Sequence, residues 1–463
     1  MKNSQTKKIY IKVALAACLV LTLASCEGFL ELDPPKTSVV DENVFQSANT
    51  ADAAIRGIYI SMYSSTFTAN LINGAFLSPV LGISADELDF FGTEFDNFKN
   101  NRLIVSDNNI LSVWNSGYRI VYLTNACVQG LRGNSNFGAA QRDRMLGEAL
   151  FLRGLHYYYM VNLWGAVPLV LSTDYQTTGS LPRASVDDVY GQIIADLLEA
   201  EELLGVEYFG TGKIRANRHA VSALLARVYL YRGEWQAAND KATQVIGGDY
   251  SLPDAEDVFL VGSEEAIWQL QNSATPTSNS IETSRFVPNN LPLFYVNQDL
   301  AVMFGEDDAR ASWLGSFEYL GEEYIYPYKY KVAVNTPTGT QEHLVMLRLA
   351  EQYLIRAEAR AMLNDFSGSL EDLNMVRKRA GVAEIANVSG QEALLGLIAR
   401  ERRLELFSEQ GHRWFDLKRT GRIAQVLEAY KEISWDSNSE LWPIPQAQLL
   451  ANPNLEQNPG YGQ

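Results

Sequence analysis

Three cysteines in 463 residues are too few for disulfides to hold a chain of this length together, so its stability has to come from a packed core. Histidine is almost as scarce. His156, His219, His343 and His412 are scattered through segments of helical pattern, which favours packing roles over metal ligation, and no cofactor is called for. No glycine-rich loop of the kind that cradles phosphate is present, and no twelve-residue calcium-ligand pattern. Positive charge is in short supply: the formal net charge is −17, and it deepens to −21 without the first 25 residues, which carry four lysines and no acid. A surface of that sign repels phosphate backbones and excludes nucleic acid as a partner. The apolar run VALAACLVLTL falls short of the roughly 20 residues that a membrane-spanning helix needs.

That run follows Lys2, Lys7, Lys8 and Lys12, the layout of a secretory signal over residues 1–25. It ends in Leu23-Ala24-Ser25-Cys26, the pattern of a bacterial lipobox, in which small residues fit the signal peptidase and the thiol of Cys26 is acylated. Export followed by attachment to a membrane through Cys26 is therefore expected. Residues 26–45 are acidic and contain Pro34-Pro35, which suits an extended tether, and residues 46–463 read as a single domain.

The segment His219–Ile246 reads as two antiparallel helices around Gly233, with Leu224, Leu225, Val228, Ala238, Ala242 and Val245 at helical spacing. Small residues at the crossing and Trp235 after the turn give it a tetratricopeptide-like pattern. Arg348–Arg379 echoes it, and Glu148–Gly165 with Asp187–Leu204 gives a third hairpin opened by an insertion. Ser185 and Asp188 start the second helix of that pair as a capping pair. Asn49 or Thr50 should cap an earlier helix, and one long helix is expected over Gln391–Arg419 up to a stop at Gly411. Because the repeats are not consecutive in sequence, an uninterrupted solenoid is not expected. The fold class is mostly α: helical hairpins forming a scaffold, with long loop-rich insertions and some short β-hairpins.

Two insertions stand out by composition. SADELDFFGTEFDNFKNNRL places Phe90, Phe91, Phe95 and Asn97 in an acidic loop, and residues 248–342 carry Phe286, Tyr295, Tyr319 and Tyr324 amid Ser, Thr and Asn, with a hairpin in the tyrosine-dense part. Aromatic faces beside short polar side chains can stack on sugar rings and bond their hydroxyls, so these eight residues form the expected ligand set. The charges Glu401, Arg402, Glu405, Arg413 and Asp416, next to Trp414 and Phe415, are assigned instead to a packed network that stabilises the fold.

The segments ERRLELFSEQGHRWFDLKR and WPIPQAQLLANPNLEQNPGY strongly resemble the SusD/RagB family of Bacteroidetes outer-membrane lipoproteins. Similar pieces recur at CEGFLELDPP, WNSGYRIVYLTNACV, EALFLRGLHYYYMVNLWGAVPLV, HAVSALLARVYLYRGEW and LRLAEQYLIRAEARA, so the resemblance covers the mature chain. It implies nutrient capture at the cell surface and delivery to a SusC-like TonB-dependent transporter. Three further readings compete with glycan capture. A RagB-like peptide receptor is the first of them, and a protein-binding scaffold the second. The third is a glycosidase, for which Asp86, Glu87 and Asp89 or Glu306, Asp307 and Asp308 are the clustered carboxylates; such a pair needs a defined separation across a cleft.

Overall fold

A computed structural model describes residues 43–63, 69–72, 74–272, 278–334, 336, 341–431 and 435–462. The expected signal, Cys26 and the tether up to residue 42 lie outside the described residues. The chain divides into two units, Met1–Val44 and Phe45–Gln463, and the second holds the helical body.

Its helices form where the apolar spacing placed them. Arg218–Arg232 and Trp235–Ile246 fold back on each other across Gly233, whose φ of +70° closes the turn. All six apolar positions named for this hairpin are fully buried. Leu349–Met362 and Phe366–Arg379 form the second hairpin, with Asp365 accepting from the Gly368 N–H at 3.0 Å as a cap. In the third, Ala139–Trp164 packs along Val186–Leu203, and Ser185 caps the latter through the Asp188 N–H at 3.1 Å. Gly147 permits this close approach, since a Cβ there would lie 2.8 Å from Leu204.

Separated in sequence, the repeats are neighbours in space. Trp235–Ile246 packs directly on Leu349–Met362, which in turn packs on Gln391–Glu405. A core of Ala350, Leu354, Ala357, Ala361, Leu373, Val376, Leu394 and Ile398 fills these contacts. Stacking survives the long insertion because the insertion leaves and returns through one buried ladder: β2 (Ala266–Leu270) pairs antiparallel with β6 (Leu344–Arg348), and β6 runs straight into the Leu349–Met362 helix. Two other two-stranded ladders occur among the described residues. β1 (Leu88–Phe90) pairs with β3 (Phe294–Val296), and β4 (Leu314–Tyr319) with β5 (Glu322–Pro327) across a Leu320-Gly321 turn with both φ values positive.

Three helix boundaries differ from the sequence reading, the first in the helix read as Glu148–Gly165, which begins at Ala139. The helix Ala48–Met62 is capped by Ser47, whose Oγ accepts from the Thr50 N–H at 3.3 Å, rather than by Asn49 or Thr50. The helix expected from Gln391 to a stop at Gly411 already ends at Glu405, because Ser408, Gln410 and Gly411 all take positive φ, and His412–Arg419 is a second helix. The body also contains the free thiol of Cys127, which burial pushes up to about 12. No helix among the described residues is long and apolar enough to cross a membrane.

Candidate functional site

The β1–β3 ladder divides the aromatic residues of the two insertions between its faces. Strand alternation sends Leu88, Phe90, Phe294 and Val296 inward, and all four are buried. Phe90 lies 5.1 Å from Phe95 and 4.9 Å from Phe294, Phe286 lies 6.4 Å from Phe294, and Phe76 closes on Phe95 at 6.3 Å. Phe90, Phe95 and Phe286 are 8%, 4% and 5% exposed, so the expectation that they face a ligand is corrected: they pack the two insertions onto each other.

The other face of the ladder is different. Asp89 and Tyr295 are opposite each other in register and half-buried. Tyr324 of β5 meets Tyr295 edge to face at 5.0 Å, and Phe91, just past β1, meets Tyr324 at 6.0 Å and Tyr319 at 5.3 Å. Four of the expected ligand residues, drawn from both insertions, thus form one half-buried cluster at a single edge. Asp89 supplies its charge and is paired with Lys99 at 2.5 Å. Burial, and then the Asp89 carboxylate, push the Tyr295 phenol well above its ordinary value, so it stays a hydrogen-bond donor. Asn97 is half-buried on the short helix Asp96–Lys99, and its side chain has no partner among the described residues. Tyr430, which the sequence reading did not single out, belongs to this edge as well: burial, with Asp89 next, pushes its phenol up to about 12. A single tyrosine ending the helix Ile423–Lys431 gave no periodic or compositional signal.

The five charges assigned to one structural network are buried or nearly so, but they fall into three networks. Neighbours on a helix point about 100° apart, whereas residues four apart share a face. Glu401 and Glu405 therefore both reach Arg310, at 2.6 and 3.1 Å, in a lattice that continues through Arg348, Glu265, Arg379, Glu409 and Lys329. Arg402 turns to Asp416 at 2.7 Å, and Asp416 also accepts from Arg419, which is held by Glu358. Arg413 lies elsewhere, on Asp86 at 2.7 Å, with Arg403 on the same carboxylate at 2.9 Å.

Two of the acids considered for hydrolysis are thereby committed. Asp86 is buried between two arginines; burial raises its pKa, but Arg413 and Arg403 outweigh that and leave it lowered. Asp308 is buried on Arg310 at 2.8 Å. Among the described residues no group of His, Cys, Asp and Glu could hold a metal ion.

Comparison with known proteins agrees with this architecture. Residues 316–461 match the family model for the SusD family, and residues 29–230 match one described as "starch-binding associating with outer membrane". The chain belongs to the SusD/RagB family. Family relatives align end to end: a SusD-like protein P25 of Formosa agariphila is 25% identical over 94% of this chain and 96% of its own length. The starch-binding protein SusD of Bacteroides thetaiotaomicron is 22% identical over 70% of this chain and 74% of its own. Among solved structures, a SusD superfamily protein from Bacteroides vulgatus superposes with a TM-score of 0.77 at 20% identity, covering 90% of this chain and 100% of that one. A laminarin-binding SusD-like protein does so at 0.74 and 21% identity, over 89% and 99%.

Proposed function

We propose that this protein is a lipid-anchored outer-membrane receptor that captures a glycan and hands it to a SusC-like TonB-dependent transporter. The observation that carries the reading is the edge formed by Phe91, Tyr295, Tyr319 and Tyr324. Rings from two distant insertions converge there beside Asp89 and Lys99. Half-buried rings held edge to face present both an apolar face for a sugar ring and hydroxyls for its oxygens. The names of relatives, starch-binding in one case and laminarin-binding in another, support the same ligand class. Affinity should be modest, because a few stacked rings leave only a small surplus over the cost of ordering a flexible polymer.

Calorimetry of the protein against laminarin, starch, xylan and a set of soluble oligopeptides tests this. Binding of at least one polysaccharide is expected; binding of peptides alone would replace the reading with that of a RagB-like peptide receptor, and binding of neither would leave a protein-interaction scaffold. The anchor is assigned to acylated Cys26, at the cell exterior. Cys26→Ala should leave the membrane fraction, since acyl chains contribute about 0.8 kcal/mol per buried methylene. A Cys26→Ala protein that stays membrane-bound and takes up labelled fatty acid would refute the assignment.

A further inference from the structure

Beyond the aromatic edge lies a cleft of about 410 Å³ between the turn after the Asp96–Lys99 helix and the C-terminal tail. Its size falls within the range of about 300–1,000 Å³ typical of small-molecule sites. The side chains around it are unusual in what they leave unsatisfied. Trp435 is half-buried, and its indole N–H has no acceptor among the described residues. Among the described residues the side chains of Asn100, Arg102 and Ser439 make no hydrogen bond or ion pair either, and Asn100 and Arg102 are exposed. Tyr461 spends its hydroxyl on the Leu441 carbonyl at 2.7 Å and so offers the cleft its ring.

The cleft is held in shape rather than left by loose packing. Trp435 is set edge to face on Trp414 with centroids 6.4 Å apart, and its backbone N–H donates to Glu428 at 3.0 Å. The opposite wall turns at Asn101, with φ +53°, and is pinned by Lys431, whose Nζ donates to the Ser84 and Lys99 carbonyls at 2.8 and 2.6 Å and to Asn101 Oδ1 at 2.6 Å. Gly460, with φ +86°, brings the tail against Asn438, where any Cβ would collide. A larger cleft of about 890 Å³ offers a contrast. There the buried arginines are taken up within the fold, Arg402 by Asp416 and Arg419 by Glu358.

Continuity with the aromatic edge identifies the occupant. Lys99 pairs with Asp89 at the edge while the next residue, Asn100, lines the cleft, and Tyr430 at the edge is followed five positions later by Trp435. Fully extended, the chain from Phe91 to Asn100 spans no more than about 32 Å. Resting on the glycan reading above, we infer that this cleft is a second saccharide subsite, taking sugar units of the same polymer that overhang the first. Amide, hydroxyl and guanidinium groups beside indole and phenol rings suit a saccharide's hydroxyls and its apolar ring face. Two linked contacts raise the affinity of a long chain without changing that of a short one.

The test compares the polysaccharide that binds best among laminarin, starch and xylan with its own disaccharide, using the full chain in calorimetry. Trp435→Ala and the double variant Asn100→Ala/Arg102→Ala are each expected to weaken polysaccharide binding about tenfold and to leave the disaccharide unchanged. The double variant alters only exposed side chains, so it reports even if Trp435→Ala fails to fold. Polysaccharide affinity unchanged in the double variant overturns the inference while leaving the aromatic edge intact. Loss of disaccharide binding in the cleft variants, with no effect of Tyr324→Ala, makes the cleft the primary site and overturns the reading of the edge. A wild-type protein that binds none of the three polysaccharides overturns both.

Discussion

Upstream of β1, Asp86 and Glu87 are sealed into the helical body among Arg403, Arg413 and Ser408; downstream of it, Phe91 stands half-buried against two tyrosines. One short strand therefore separates a region where polar groups are consumed by the fold from one where they are left available. In the first, charges have lost their water and survive because opposite charges and backbone groups surround them. In the second, aromatic rings touch one another only at their edges, and the polar groups beside them keep solvent contact. Rigidity on the buried side allows the open side to be held ready without packing it shut. Asn297 joins the two sides: it follows β3, and its N–H donates to the Glu87 carbonyl at 3.0 Å.

The most severe way to break this contrast is to remove the hub of the charge lattice. Arg348 is 2% exposed and donates to Glu409 at 2.9 Å, to Glu265 at 2.7 Å, to Glu405 at 2.5 Å and to the Glu405 carbonyl at 2.7 Å. Arg348→Ala leaves three buried carboxylates short of a counter-charge, with Arg310, Arg379 and Lys329 remaining. The expected loss is at least about 3–5 kcal/mol, the cost of breaking a buried pair from one side. Chemical denaturation measures it; a variant within 1 kcal/mol of the parent, on the order of a surface substitution, would show that the lattice carries no stability.

How far each region was legible in the sequence follows from its physics. The helical hairpins were readable because 3.6-residue periodicity is local: Leu224, Val228, Ala238 and Val245 announce their own burial. Their stacking across the insertion was not, since the β2–β6 pairing that closes it joins residues far apart in the chain. The charged segment 401–416 is packed in the fold, yet its partners Arg310, Arg348 and Asp86 lie in other segments, and nothing local separates one network from three. The aromatic set was chosen by composition, which cannot tell the two faces of a strand apart without a register. Phe90 and Phe91 adjoin in sequence and end up in different environments for that reason alone.

A smaller perturbation uses pH. Glu87 is fully buried; burial first, and the Asp86 charge to a lesser degree, raise its carboxyl to about 7 against the opposing pull of the Ser408 N–H, Arg413 and Arg403. A carboxyl with its folded pKa raised contributes stability that is fully present below its unfolded value of 4.5 and lost as pH rises through about 7. The penalty above pH 7 is about 3 kcal/mol by the usual conversion. In Glu87→Gln the side chain is neutral at every pH. The variant should gain on the parent by up to about 3 kcal/mol as pH is raised from 5 to 8, the cost of one poorly satisfied amide being a constant offset at both values. Denaturation curves at the two pH values measure this, and a constant difference between parent and variant would mean that Glu87 is ionised in the fold throughout.

The smallest effect is expected where the fold depends on the residue least, at the aromatic edge. Tyr324 touches Phe91 and Tyr295 by ring edges at 6.0 and 5.0 Å and is half-buried, so Tyr324→Ala gives up two edge-to-face contacts and part of one buried ring. Each such contact is worth about 0.5–1.5 kcal/mol, and solvent already reaches the position, so the cavity left behind is open and the stability loss should stay near about 1–2 kcal/mol. Binding should respond more strongly than folding. Removing one stacking face is expected to lower polysaccharide affinity about tenfold, or about 1.4 kcal/mol, and because Tyr295 and Phe91 both lean on Tyr324, their loosened rings add to the loss. Calorimetry on a variant whose melting temperature stays close to the parent's separates the two effects. If Tyr324→Ala instead melts far below the parent and, wherever it is folded, binds polysaccharide as the parent does, then the rings at this edge are packing groups like Phe90, and the division between a sealed and an available side of β1 disappears.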